Sequence, residues 1–207
     1  MAKTARNLVV MGIVVAGLAG TTPSASGAEP ELLPIRILVG NVAGVRPDML
    51  VRAQTETARV YAAVGIRLVW EGDPLNLLPH LTMRIVSGPD HWFERVAATA
   101  LGAVPAGDDG VGRLAYAFHE RIQASARRQG TDPATILAYV MAHEVGHLLL
   151  GKSHSSTGIM SGHWDRSETQ SIERSALRFT NEQGKSIRST VNEMSADRRR
   201  MAGIVAH

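Results

Sequence analysis

The chain is 207 residues long, carries 22 basic against 19 acidic side chains for a formal net charge of +3, and contains no cysteine. The missing cysteines exclude a disulfide framework, a thiolate metal site and a cysteine latch on a metal. So small a positive excess gives no ground for a nucleic-acid partner.

Residues 1–28 read as a signal peptide. Lys3 and Arg6 precede an apolar run over 8–18, and small residues follow up to Ser26, Gly27 and Ala28, with cleavage expected after Ala28. The run is too short for a secure membrane span. Cleavage removes Lys3 and Arg6 and leaves 179 residues with 20 bases against 19 acids, a formal charge of +1. That length supports one domain over 29–207 with its own core. The expectation is a secreted or periplasmic bacterial protein, monomeric, without stable membrane association after cleavage and without a nucleic-acid partner.

Strands are expected over 35–39, 67–70 and 81–86, with an amphipathic helix over 47–64 between the first two. Residues 102–112 hold Pro105, four glycines and two aspartates and read as a loop. Residues 113–119 then alternate Leu114, Tyr116 and Phe118 against Ala115, Ala117 and His119, which predicts a fourth strand. Asp132 and Pro133 make a helix start, a carboxylate cap followed by proline at the first helical position, and Gly151 is its stop. Leu137, Met141, Val145, Leu148 and Leu149 form one side of that helix, roughly opposite a stripe carrying His143 and His147. Ile136 and Val140 lie on the histidine side one or two turns earlier, as an apolar floor.

The segment AHEVGHLLLGKSHSSTGIM, residues 142–160, carries the chemistry. On a helix, the HExxH spacing puts His143 and His147 one turn apart on one face, where two imidazole nitrogens can meet one cation. Glu144 lies about 100° round from His143, within reach of a water on that cation without ligating it. Zinc would bring that water's pKa to about 7, and Glu144 would act as general base and then return the proton to the leaving amine. Three neutral imidazoles with an open water position suit one zinc ion, although other divalent first-row metals accept such ligands.

Beyond the helix the segment resembles the metzincin superfamily of zinc peptidases, in which a glycine turns the chain, a third histidine completes the metal site and a methionine turn lies beneath it. The resemblance implies His143, His147 and His154 as metal ligands, Glu144 as catalytic base, Gly151 as the turning glycine and Met160 as the methionine of the turn. The pattern is also similar to that of small secreted bacterial proteins with HExGHLLLG, SHS and GIM. One departure stands out: the usual HExxHxxGxxH is here HExxHxxxGxxH. The added helical residue rotates the exit by about 100° and advances it about 1.5 Å, so the 151–153 turn must compensate. Gly162 stands where some metzincins place a tyrosine that assists the oxyanion.

The implied fold is an α+β, metzincin-like zincin domain. It has a mixed twisted sheet of about four strands with an antiparallel edge strand, an active-site helix, and a small helical C-terminal subdomain. The upper subdomain with the zinc helix would span 29–151 and the lower 152–207. In the family an edge strand pairs with an extended peptide or protein substrate, and 113–119 is the candidate. After Met160, Ser167 with Gln170 and Thr180 with Gln183 have capping-box spacing, and Ile187, Val191 and Met194 recur at helical intervals. His163, beside Trp164, is either a pocket wall or a surface histidine, and His119 has no metal role. The expected function is a secreted zinc metalloendopeptidase. Two alternatives stay open: a gluzincin-type peptidase with Glu168 or Glu173 as third ligand, and a catalytically silent secreted metal-binding or interaction protein.

Overall fold

The structure is a computed structural model that describes residues 31–71, 80–89, 96–105, 113–164 and 166–205. The signal peptide expected over 1–28 lies outside the described residues. Among them, no helix is long and apolar enough to cross a membrane.

The chain begins with a β-α-β unit, β1 (Leu33–Asn41), α1 (Pro47–Ala62) and β2 (Ile66–Glu71). The two strands pair in parallel from Leu33 with Ile66 to Leu38 with Glu71, an arrangement that needs the crossover α1 supplies. Gly65, at φ 82°, turns the chain from that helix into β2, a conformation an L side chain resists. β3 (Leu81–Val86) and β5 (Leu114–Phe118) extend the parallel run, and the two-residue β4 (Gly102–Ala103) closes one side antiparallel to β5. The sheet order is β2-β1-β3-β5-β4.

This corrects the edge assignment. β5 lies inside the sheet, between β3 and β4, and the antiparallel edge strand is β4, in the segment read as loop. Glycine has poor strand propensity, so tertiary pairing alone makes residue 102 a strand. The predicted strand over 113–119 also ends at Phe118, because His119 opens α2 (His119–Gln129). That helix went unread because its sequence is strongly polar and only Ile122, Ser125 and Ala126 are buried. Gly130, at φ 69°, ends it in the left-handed conformation.

α3 (Pro133–Leu150) has the bounds that its start and stop residues predict. Leu137, Met141, Val145 and Leu149 are buried opposite the histidines, as predicted, but so is every residue from Ile136 to Ala142, so the helix is enclosed on all sides before it reaches His143. A helix apolar all round belongs in a core. Tyr61 donates its hydroxyl to the carbonyl of Ala142 at 3.0 Å, and Thr57 to that of Ala138 at 3.0 Å, both from α1. Ile35, Ile37, Leu81, Met83 and Ile85 fill the helix-facing side of the sheet, whereas β5 presents only Ala115 and Ala117, on which α3 packs.

After α3 the chain forms α4 (Arg166–Glu173) and α5 (Asn181–Val205). The capping box at the start of α5 is formed: Thr180 N–H donates to Gln183 Oε1 at 2.9 Å and Gln183 N–H to Thr180 Oγ1 at 3.2 Å. Ser167 stands one residue inside α4. Ile187 and Val191 are buried, as the helical spacing predicts.

Candidate metal centre

α3 carries His143 and His147 on one side of its last turns, and each ring is oriented by a backbone carbonyl. His143 Nδ1 donates to the carbonyl of Ile159 at 2.7 Å, and His147 Nδ1 to that of Gly151 at 2.9 Å. A carbonyl only accepts, so in both rings the proton sits on Nδ1 and Nε2 bears a lone pair. The two Nε2 atoms face each other at 3.0 Å, and His147 Nε2 lies 3.2 Å from His154 Nε2. Two lone pairs at that distance repel unless a cation sits between them. Zinc–imidazole bonds of about 2.0–2.1 Å in tetrahedral geometry separate ligand nitrogens by roughly 3.3 Å, so the donor set fits that ion. Among the described residues this trio is the one cluster with metal-ligand donors.

The added residue before the turn is absorbed at Gly151. Its φ of 87° swings the chain out of α3 while its N–H still bonds the carbonyl of His147. His154 then comes back to the helical pair. Its ring rests on Gly162, where a Cβ would lie 3.0 Å from His154 Cγ, so a tyrosine at 162 would displace the histidine. The 155–161 loop is pinned by the bond from Ser155 N–H to the Met160 carbonyl at 2.8 Å. Met160 lies beneath α3, with its sulfur where a Cβ on Gly146 would be only 2.4 Å away. Trp164 meets His143 edge-on at 5.8 Å between ring centroids.

Glu144 is 5% exposed, and burial alone pushes its carboxyl up to about 8. Burial is also the largest cause that lowers His143, to about 4, opposed by its carbonyl bond and aided by His147 and His154. His147 is lowered for the same first reason. The rings are therefore held neutral, the state in which imidazole binds a metal. Gly102 on the edge strand presses on Glu144, for a Cβ there would fall 2.5 Å from Glu144 Oε1. Sequence reasoning missed Gly102 and Gly146; a glycine inside a helix, as at 146, was the signal for close packing.

A cleft of about 620 Å³ runs past the three histidines, with Glu144, Gly102, Val140, His163 and Trp164 in its walls. His163 is both exposed and a wall residue. Ile136, expected in the apolar floor, is buried in the core, and Val140 alone of that pair reaches the cleft. Glu173 accepts from Thr131 at 2.8 Å, and neither it nor Glu168 is in the histidine cluster. His119 stands apart as well, its Nε2 facing the Gln123 side-chain amide at 3.3 Å.

No family model and no curated protein matches the sequence. Among solved structures the chain is similar to a zinc-dependent peptidase from Methanocorpusculum labreanum, with a TM-score of 0.50, 13% identity, and coverage of 73% of this chain and 99% of that one. It also matches a Thermotoga maritima protein solved in solution at a TM-score of 0.35, with 10% identity and coverage of 80% and 92%. The first likeness is one of fold alone, to this chain's α+β domain with its five-stranded mixed sheet. The second is too distant to support an argument.

Proposed function

We propose that the protein is a secreted, metzincin-like zinc metalloendopeptidase, with one zinc ion held by His143, His147 and His154 and with Glu144 as general base. Supporting this is the convergence of three Nε2 atoms, two of them stripped of their proton by carbonyl bonds, beside a buried carboxyl in an open cleft. Zinc bound there supplies Lewis-acid chemistry, polarising a carbonyl and making water acidic near neutral pH.

The chain's own residues do the rest. Phe118 N–H donates to the Leu101 carbonyl at 2.8 Å, so by ladder alternation the next residue, Gly102, turns its N–H and carbonyl to the free edge of β4. An extended peptide can add there as a further strand, oriented by main-chain bonds that care little about sequence. Glu144, ionised when a cation is bound beside it, takes the proton of the attacking water and hands it to the leaving amine nitrogen. Val140 and Trp164 provide apolar wall around this transfer. Residues 1–28 act as the signal peptide, and 29–207 form the mature domain.

The test is metal analysis of the purified chain with exposure to a mixed peptide library, wild type beside Glu144→Gln. Bound zinc in both, with cleavage by wild type alone, is the expected result. Zinc without cleavage in either would make the protein a silent metal binder, and absence of zinc would end the reading.

A further inference from the structure

One part of the cleft wall is made by α2 and the segment leading into β4. The face of α2 that meets this segment carries Arg121, Ser125 and Arg128, spaced four and three residues apart and therefore one above another. The first is committed, as Arg121 Nη1 donates to the carbonyls of Ala97 and Ala100, both at 2.9 Å, and clamps the cleft wall to the helix. Arg128, two turns on, also lines the cleft, and among the described residues it has no ion-pair or hydrogen-bond partner. Val140, Ala100 and Leu101 add apolar surface to the same cleft, and Arg128 itself is exposed. Gln129 and Ser125 stand beside it, joined by a 2.9 Å bond from the amide to the hydroxyl.

The charge of the whole cleft points the same way. Lys152, in the turn between Gly151 and His154, is a second wall residue without an ion-pair partner among the described residues. Of the described residues lining the cleft, Glu144 is the single carboxylate, and the proposed reaction commits it to the scissile bond. A wall with two cations that pair with no described carboxylate favours anionic side chains and disfavours cationic ones. The planar fork of a guanidinium matches the two oxygens of a carboxylate.

We propose that the cleft selects substrates with an acidic side chain, whose carboxylate is received by Arg128. This rests on the peptidase reading and names the substrate class of that site. It assigns Arg128 as a specificity-determining residue that takes no part in the chemistry.

The test separates binding from hydrolysis by using zinc-loaded Glu144→Gln chain. One glutamate is walked along a short neutral peptide, with matching glutamine and lysine sets, and affinity is read by fluorescence anisotropy. In one register glutamate is expected to bind about tenfold tighter than glutamine, and tighter still than lysine, with the advantage shrinking in high salt. Adding Arg128→Glu should reverse the glutamate-to-lysine order in that register, and Arg128→Gln should bring the two close together. Equal affinities for the three sets in every register, or a preference that survives both substitutions, would overturn the proposal. Wild-type chain is assayed on the same peptides for cleavage: a glutamate preference without hydrolysis would support the subsite and sink the peptidase reading.

Discussion

The candidate metal centre has two unlike halves. His143 and His147 sit on a helix embedded in the core, each ring fixed through Nδ1 by a carbonyl from the chain that follows. His154 is exposed on a glycine-bounded turn, and its ring is set by packing on Gly162. One half is built before the metal arrives, while the other depends on a turn whose geometry one residue could undo. The carbonyls join them, because Ile159 and Gly151 belong to the turn segment and yet orient the helical rings. Displacing the turn should therefore damage both halves.

The largest effect is expected on the helical side. Glu144→Gln should lower hydrolysis on the order of 10²–10⁴-fold, the usual worth of a positioned base, with zinc stoichiometry intact. Unchanged turnover would remove Glu144 from the chemistry. Each histidine ligand should be worth on the order of 10²-fold or more in zinc affinity, a share of a total near 10–16 kcal/mol. His147→Ala and His154→Ala, compared by competition with a chelator, set the two halves against each other. If His154→Ala keeps zinc as tightly as wild type, the turn-borne half is not a ligand and the site needs another third donor.

Gly102→Ala tests the wall opposite the helix. The added methyl meets Glu144 Oε1 at 2.5 Å and the Tyr116 backbone carbonyl at 2.6 Å, so either the carboxyl or the edge strand must move. A misplacement of about 1 Å can cost roughly 10²-fold in rate, and zinc binding should be spared. Activity equal to wild type would show that β4 does not position the base. Gly146→Ala acts between the halves, driving the Met160 sulfur away from α3. An overpacking cost of about 1–3 kcal/mol is expected, offset in part by alanine's better helix propensity, and is read from thermal melts with and without zinc. A more stable variant would mean that Met160 rearranges freely and supports nothing.

The same contrast explains what was legible in the sequence. The bounds of α3 were readable because Asp132, Pro133 and Gly151 act locally, through capping and a glycine stop. The β-α-β start was readable from its periodicity. The edge strand was not, since Gly102 and Ala103 form a strand only by pairing with Tyr116 and Ala117 across the sheet. α2 was hidden because its polar sequence buries few side chains. At the site, spacing put His143, Glu144 and His147 on one helix end, but nothing local showed that Gly151 would absorb the added residue and bring His154 back. That depended on a single φ value, which tertiary contacts select.

The smallest expected effect separates the halves by pH in chelator-treated protein. In the native chain His143 titrates at about 4 against an ordinary value of 6.5. A depressed value means that the unfolded chain binds the proton first as pH falls. The burial of neutral His143 is therefore fully tolerated above 6.5, and stability is lost between 6.5 and about 4. Glu144 runs the other way: its value is raised from 4.5 to about 8, so the native chain holds the proton longer and stability declines as pH rises from 4.5 through 8. The two slopes cancel between 4.5 and 6.5, so stability of the stripped protein should be level there, fall by about 2 kcal/mol from 6.5 to 8, and fall by less than about 1 kcal/mol from 4.5 to 4. Denaturant melts across pH 4–9 measure this directly. Glu144→Gln should remove the alkaline fall and extend the acid one up to pH 6.5, and His143→Gln should remove the acid fall and extend the alkaline one down to pH 4.5. His154→Gln, replacing the exposed ring, should leave both slopes in place. If it flattens the acid slope as much as His143→Gln does, the burial of His143 depends on the turn and the distinction between a built half and a conditional half fails.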